Sequence, residues 1–249
     1  MRSNRIPMTI QVAICSANRS IVLAGDTKVR TSELSISDRE PVSTAVNRSK
    51  MAFSERHAIA VAMAGDGPVG TDAAAELTSY LSTLERIPDF LGPLLKKWGD
   101  DYFRKHRPGD ESGQGYPLCS MLVVNPSTSY CRLWKLRVNR ESTEEGSERY
   151  MVNGHANNSA VFWLEYMKAD KKPPLEESLG IAIATIGLAS EINNYGVGGL
   201  ELHEYREGAW HHWPNEEIER AERSLTVVQG QIKKAVIGLG NRHVTPNPA

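Results

Sequence analysis

Three polar residues near the N-terminus could form a nucleophile with its charged supports. Thr9 opens an alternating, strand-like segment over residues 9–14, and Asp26 and Lys50 follow downstream. A threonine hydroxyl is a weak nucleophile at neutral pH, so it needs a base and a nearby cation, and a free α-amino group on the same residue can supply the base. This chemistry requires the absence of residues 1–8, which we therefore expect to be a propeptide or a misassigned start.

The composition describes an ordinary globular protein and leaves function to a local site. The 249 residues are 40% hydrophobic and 24% charged, enough for one large domain or two small ones. The net charge of -1 gives no field that would attract nucleic acid or an anionic membrane. Residues 1–7 lack the apolar core of a signal peptide, and no run approaches transmembrane length. We expect no nucleic-acid partner and no membrane partner.

Cysteine and histidine residues give little sign of metal or disulfide chemistry. The three cysteines form no CxxC pair and lie in apolar or alternating segments, which favours buried thiols in a reducing cytoplasm. His211 and His212, beside Trp210 and Trp213, could suggest a metal or a base-stacking surface. They have no spaced third ligand and no basic patch, so we expect no metal and no cofactor. The cysteines are Cys15, Cys119 and Cys131.

Hydrophobic periodicity predicts an α+β fold in which strands and helices come in alternating groups. A four-layer αββα sandwich explains this order, with two stacked sheets and a helical pair on each outer face. A polar stretch over residues 31–49 is predicted to be a surface loop. The predicted strands are 9–16, 20–30, 50–53, 58–64, 118–124, 131–138, 150–152, 200–205 and 209–213. The predicted helices are 71–84, 88–106, 157–167, 175–192 and a terminal helix from 215.

In their order and spacing, five short motifs resemble the proteasome β-subunit and HslV group of N-terminal-nucleophile (Ntn) hydrolases. The motifs are Thr9 with residues 12–14, residues 23–26, Lys50, residues 62–65, and Tyr195 with residues 198–202. The resemblance implies a proteasome-like Ntn-hydrolase domain over residues 9–214, preceded by residues 1–8 and followed by a C-terminal helix and tail over 215–249. It also implies a threonine-type endopeptidase that cleaves amide bonds in polypeptide substrates.

The resemblance assigns a role to each matching residue. Thr9 falls on the nucleophile, Asp26 and Lys50 on the conserved charged pair, and Gly65 on the backbone amide that stabilises the oxyanion. An ammonium at Lys50 would favour the deprotonated Thr9 hydroxyl, and Asp26 would hold Lys50 in place. A glycine amide can approach the carbonyl oxygen because no Cβ stands in the way.

The sequence departs from the group at three accessory positions. His155 stands where the group has a serine, and Asn193 and Gly196 stand where it has an aspartate and a serine. Loss of a carboxylate weakens the proton relay, although His155 could act as a base or be structural. The alternative interpretation is therefore a catalytically inactive, proteasome-like ring or scaffold subunit.

The remaining expectations concern substrate and assembly. Arg30 and Thr31 could offer backbone groups to an extended peptide by β-augmentation, and Met63 and Lys50 would border the specificity pocket. The resemblance implies a homo-oligomeric ring of twelve or fourteen subunits that sequesters its sites, with an ATPase unfoldase as a partner. The helices at 71–84 and 88–106 would contact neighbouring subunits.

Overall fold

The computed structural model describes residues 9–32, 43–47, 49–54, 56–65, 67–107, 118–126, 132–154, 157–192 and 199–227. The chain divides into two compact units, Met1–Trp213 and Pro214–Ala249. In the described part of the second unit a helix, α5, spans residues 215–227. No helix among the described residues is long and apolar enough to cross a membrane.

The first unit contains twelve described strands and four described α-helices. The strands are β1 Ile10–Cys15, β2 Ile21–Gly25, β3 Lys28–Ser32, β4 Ser43–Asn47, β5 Met51–Phe53, β6 Ala60–Gly65, β7 Cys119–Asn125, β8 Arg132–Val138, β9 Thr143–Ser147, β10 Tyr150–Gly154, β11 Glu201–Arg206 and β12 Ala209–His212. The helices are α1 Gly67–Thr83, α2 Gly92–His106, α3 Asn157–Tyr166 and α4 Leu175–Ile192.

The strands form two five-stranded antiparallel sheets and one two-stranded sheet. The first sheet has the order β10-β1-β2-β11-β12, the second has the order β5-β6-β7-β8-β9, and β3 pairs with β4. Helices α1 and α2 contact the second sheet, α4 contacts β1 and β2, and α3 contacts α4 and β10. The predicted α+β class is confirmed, and the strand pairs of all three sheets are antiparallel.

Side-chain alternation in β1 explains how the two sheets meet. Successive residues of a strand point to opposite faces, so Gln11, Ala13 and Cys15 share one face. Ala13 and Cys15 pack in a buried cluster with Leu122 and Val124 of β7, which belongs to the other sheet. Thr9 lies just before β1, and its position is therefore set by a strand that is anchored in the core between the sheets.

Several elements differ from their predictions. The predicted strand over 20–30 is two strands, β2 and β3, which belong to different sheets. Helix α1 begins at Gly67 rather than at 71. The predicted surface loop over 31–49 contains β4, which pairs with β3 although its residues are mostly polar. Helix α2 begins at Gly92 rather than at 88, with Pro93 in its first turn, where a proline costs no helical hydrogen bond. Strand β9 was not predicted because most of its side chains are exposed and carry no apolar alternation.

Candidate active site

Thr9, Asp26 and Lys50 come together in one buried cluster. The Lys50 ammonium donates a hydrogen bond to Thr9 Oγ1 over 3.1 Å and another to Asp26 Oδ2 over 2.8 Å. The exposed fractions are 3% for Thr9, 2% for Asp26 and 7% for Lys50. A buried ion pair is stabilising only when its remaining polar atoms are also satisfied, and the second oxygen of Asp26 has such a partner.

The backbone fixes Asp26 at the end of its strand. The amide N–H of Ile10 donates to Asp26 Oδ1 over 2.8 Å, and the amide N–H of Asp26 donates to the carbonyl oxygen of Ile10 over 3.1 Å. Strands β1 and β2 pair so that Gln11 lies opposite Gly25, which brings residues 9 and 10 beside residue 26. The pairing of β1 with β2 therefore positions both the Thr9 hydroxyl and the Asp26 carboxylate.

Burial dominates the electrostatics of the carboxylate. Removal from water raises the pKa of Asp26 above its usual value, and the charge and hydrogen bond of Lys50, together with the Ile10 amide, partly oppose this rise. Because Lys50 donates to Thr9 Oγ1, the hydroxyl proton of Thr9 is directed away from the ammonium. The arrangement can thus stabilise a developing alkoxide while a separate base removes the proton.

Two glycines with left-handed backbone angles end strands β6 and β10, and the second lies against the Thr9 backbone. Gly65 ends β6 at φ +143°, and a Cβ there would lie 3.0 Å from the Cα of Cys119. Gly154 ends β10 at φ +109°, and a Cβ there would lie 1.8 Å from the carbonyl oxygen of Thr9. Only glycine permits this approach of β10 to the Thr9 backbone. Gly65 lies two residues after Met63, whose amide donates to the Lys50 carbonyl over 2.9 Å.

A buried hydrogen-bond network that the sequence analysis missed joins the two sheets beside the cluster. The Gln11 side-chain amide donates to the Met63 carbonyl oxygen, and Asn153 donates to Gln11 Oε1 over 2.7 Å. Asn153 also donates to the Ser120 carbonyl oxygen over 3.0 Å and accepts from the Ser120 hydroxyl. The signal in the sequence was a glutamine among apolar neighbours in a strand, which needs a partner when it is buried.

The other predicted site residues are less completely described. Arg30 and Thr31 lie on β3, opposite Ala45 and Thr44 of β4. The Met63 side chain is 3% exposed, and a Cβ on Gly70 of α1 would lie 2.5 Å from its terminal methyl group. The predicted residues outside the described part of the chain are His155, Asn193, Tyr195 and Gly196.

One side-chain cluster next to the site has ligands of the kind that metals bind. Glu201, His203 and His212 place one ligand atom each within 4.8 Å of one another. Glu201 lies opposite Gly25, which precedes Asp26, and its Oε1 accepts a hydrogen bond from Ser49, which precedes Lys50. No third ligand stands close to His211 and His212 in the sequence, because two of the three groups come from the neighbouring strand, β11.

Solved structures share this fold at low sequence identity. Anbu (ancestral beta-subunit) from Yersinia bercovieri is 13% identical, with 90% of this chain and 96% of that chain covered and a TM-score of 0.64. An Anbu mutant from Hyphomicrobium sp. strain MC1 is 14% identical, with 91% and 96% covered and a TM-score of 0.63. The sequence matches no protein-family model and no curated protein.

These neighbours correct the family suggested by the sequence. The assignment to the proteasome β-subunit and HslV group is wrong, because the structural neighbours are Anbu proteins, which are proteasome-like but form a distinct family. The physical reason lies in the motifs themselves. Thr9, Asp26, Lys50 and Gly65 each lie at or beside the end of a strand, so their order and spacing report the fold and do not separate families within it.

Proposed function

We propose that this protein is a proteasome-like subunit that hydrolyses amide bonds, with Thr9 as its N-terminal nucleophile. The observation that carries the proposal is the contact of one ammonium, Lys50 Nζ, with both Thr9 Oγ1 at 3.1 Å and Asp26 Oδ2 at 2.8 Å. A cation held by a buried carboxylate and aimed at a hydroxyl is what activation of a weak oxygen nucleophile requires.

In the proposed reaction the freed α-amine of Thr9 removes the hydroxyl proton while Oγ1 attacks the carbonyl carbon of an amide. Lys50 stabilises the oxygen as its charge develops, and the amide N–H of Gly65 donates to the oxyanion. The proton then passes to the leaving amine, and water hydrolyses the ester formed at Thr9. The Gln11 network supports this geometry by tying the strand after Thr9 to the Met63 carbonyl, two residues before Gly65.

The proposal requires cleavage of the Met8–Thr9 bond, since an acylated amine cannot act as the base. In the full chain Thr9 is almost completely buried, which favours the alternative of an inactive subunit for protein that has not been processed. Intact-mass measurement of protein made in its own cell is expected to show Thr9 as the first residue. Persistence of residues before Thr9 in all of the protein would contradict the hydrolase.

Labelling with a threonine-directed electrophile tests the nucleophile itself. A peptide boronate or β-lactone should add once to the processed wild-type chain and not at all to Thr9→Ala or Lys50→Ala. Thr9→Ser should retain labelling, and Lys105→Ala, which changes an exposed lysine, serves as the matched control. Labelling that persists in Thr9→Ala would assign the reaction to another residue.

The proposal extends to the layered architecture, the substrate strand and the assembly. The contacts of α1 and α2 with one sheet, and of α4 with the other, support a four-layer αββα sandwich. Strand β3 could accept an extended peptide, since no other described strand pairs with it apart from β4. Arg30, Thr31 and Met63 therefore remain proposed substrate contacts.

Exposed aromatic side chains support a homo-oligomer. Phe162 is 59% exposed and Tyr166 is 72% exposed, one turn apart on α3, and their rings stack at 6.3 Å. By contrast, Leu91, Leu95 and Tyr102, in the apolar face at α2, are buried within the chain. Native mass spectrometry at micromolar concentration should show a closed ring, and the predicted number of subunits remains twelve or fourteen. A clean 27.5 kDa monomer would contradict the ring. An ATPase unfoldase remains a predicted partner of the ring.

A further inference from the structure

We propose that Glu201, His203 and His212 form a binding site for a divalent transition-metal ion of the zinc type. Two imidazoles and one carboxylate are a ligand set that suits Zn²⁺, Co²⁺ and Ni²⁺ and is a poor match for Mg²⁺ or Ca²⁺, which prefer oxygen ligands. The three ligand atoms already lie within 4.8 Å of one another. Around a tetrahedral ion with bonds of about 2.1 Å, ligand atoms lie about 3.4 Å apart, so small side-chain rotations would complete the site.

The strand register brings the three groups onto one face. Glu201 and His203 are two residues apart on β11 and therefore point to the same side of the sheet. His212 of β12 lies directly opposite His203 in the antiparallel pair, and the two imidazole rings are 4.8 Å apart at their centroids. His211 points to the other face, which is why adjacent histidines in the sequence supply only one ligand.

The surroundings fix the ligands before any ion arrives. The Ser49 hydroxyl donates a hydrogen bond to Glu201 Oε1 over 2.9 Å. Glu201 Oε1 and His203 Nε2, which are two of the proposed ligands, lie 2.8 Å apart, and an ion would replace the hydrogen between them. The Phe53 ring packs on the His203 imidazole with centroids 4.5 Å apart. Metal-binding carboxylates and imidazoles are commonly held by such outer partners, which set their orientation.

Two of the three ligands are mostly buried and the third is exposed, so a bound ion could exchange with solvent. The His203 and Glu201 side chains are 9% and 12% exposed, whereas His212 is exposed. The exposed imidazole provides an entry path, and a water molecule can complete the coordination. A bound ion would link the β11–β12 hairpin, through Glu201 and Ser49, to the segment that precedes Lys50.

Metal titration of the full chain tests the site, with Zn²⁺ in calorimetry and Co²⁺ in visible absorption. One Zn²⁺ per chain should bind at micromolar concentration, and Co²⁺ should give the visible bands of a tetrahedral nitrogen–oxygen site. Because His212 is exposed, His212→Ala should fold normally and bind at least about tenfold more weakly. Glu201→Gln, which keeps an acceptor for Ser49, should show the same loss, and both variants should lose the Zn²⁺-induced rise in Tm.

His211→Ala is the matched control, since it removes the adjacent imidazole on the opposite face. It should bind Zn²⁺ as the wild type does. Unchanged binding in His212→Ala and Glu201→Gln, or an equal loss in His211→Ala, would assign the metal elsewhere and overturn the proposal. Absence of Zn²⁺ binding to the folded wild-type chain at micromolar concentration would also overturn it, and would leave the Glu201–His203 contact as a hydrogen bond alone.

Discussion

Two lysines are buried to the same extent in this chain, but their surroundings differ. Lys50 and Lys135 are each 7% exposed. Lys50 contacts the Asp26 carboxylate at 2.8 Å and the Thr9 hydroxyl at 3.1 Å. Lys135 of β8 lines a cavity of about 770 Å³, and its pKa is lowered by burial and by the charge of Arg137, with a smaller opposing effect of Glu145.

The comparison shows that burial of a cation does not by itself make a reactive site. Burial disfavours both ammonium groups relative to water. At Lys50 a buried carboxylate offsets that cost, and the ammonium is aimed at an oxygen nucleophile. At Lys135 the neighbouring charge with the larger effect is the Arg137 guanidinium, whose repulsion adds to the cost of burying the ammonium. The partners therefore distinguish the candidate active site from the cavity.

The largest expected effect is the loss of stability in Lys50→Met, which is compared with the same replacement at Lys135. Lys50→Met leaves the Asp26 carboxylate buried without its counter-ion and should lower the free energy of unfolding by about 3–5 kcal/mol. Lys135→Met removes an ammonium that burial and the charge of Arg137 already disfavour, so its loss in the free energy of unfolding should be the smaller of the two. Urea denaturation of both variants measures the difference.

A double variant checks the cause. Lys50→Met combined with Asp26→Asn removes both buried charges and should recover part of the stability that Lys50→Met loses. Electrophile labelling should be absent in the Lys50 variants and unchanged in Lys135→Met. Equal losses of stability at the two lysines would break the comparison, since burial alone would then explain both.

The sequence could predict the fold because its signal is carried by strong periodic segments. Helix α4 spans Leu175–Ile192, as its long apolar run predicted. Strand β9 has exposed polar residues, and β4 lies within a polar stretch. These two strands are held by pairing with a neighbouring strand, and neither has the hydrophobic alternation that would predict a strand. Such pairing depends on distant parts of the chain and leaves no local signal.

The candidate site divides in the same way. Thr9, Asp26 and Lys50 could be named from residue type and order, and they lie within hydrogen-bonding distance in the structure. The partners of Gln11 could not be named, because Asn153 is 142 residues away along the chain. The cluster of Glu201, His203 and His212 was hidden because it depends on the register of two strands.

The next effect compares two glycines, one that lies against Thr9 and one that is exposed on α4. Gly154→Ala would place a Cβ 1.8 Å from the Thr9 carbonyl oxygen at φ +109°, so we expect a loss of about 3 kcal/mol or more and loss of labelling. Gly180→Ala in α4 meets no atom within 4 Å and should stabilise the protein by about 0.5–1 kcal/mol. Thermal unfolding measures both, and a tolerated Gly154→Ala would show that β10 does not constrain Thr9.

A further effect, confined to high pH, concerns the thiol beside Gly65. Burial raises the pKa of Cys119 from 9.0 to about 12, so the folded state holds the proton more tightly than the unfolded state. The resulting stability is fully present below pH 9.0 and is lost as the pH rises towards 12, by about 1.4 kcal/mol per pH unit. Cys119→Ala should flatten the decline between these values, as measured by urea denaturation at a series of pH values. An unchanged slope would mean that the thiol ionises as easily in the folded protein.

The smallest expected effect belongs to an ion pair with nearly the same length as the buried one. Lys105 Nζ lies 2.9 Å from Glu76 Oε2, but the two side chains are 60% and 44% exposed. Water screens such a pair, and ordering two long side chains offsets much of its attraction, so a double-mutant cycle of Lys105→Ala and Glu76→Ala should give about 0.5 kcal/mol or less. Added salt should reduce this coupling further, whereas the Lys50–Asp26 coupling should persist because solvent ions cannot approach it. A coupling at the surface as large as that in the site would mean that distance, rather than burial and partners, sets the strength of the pair.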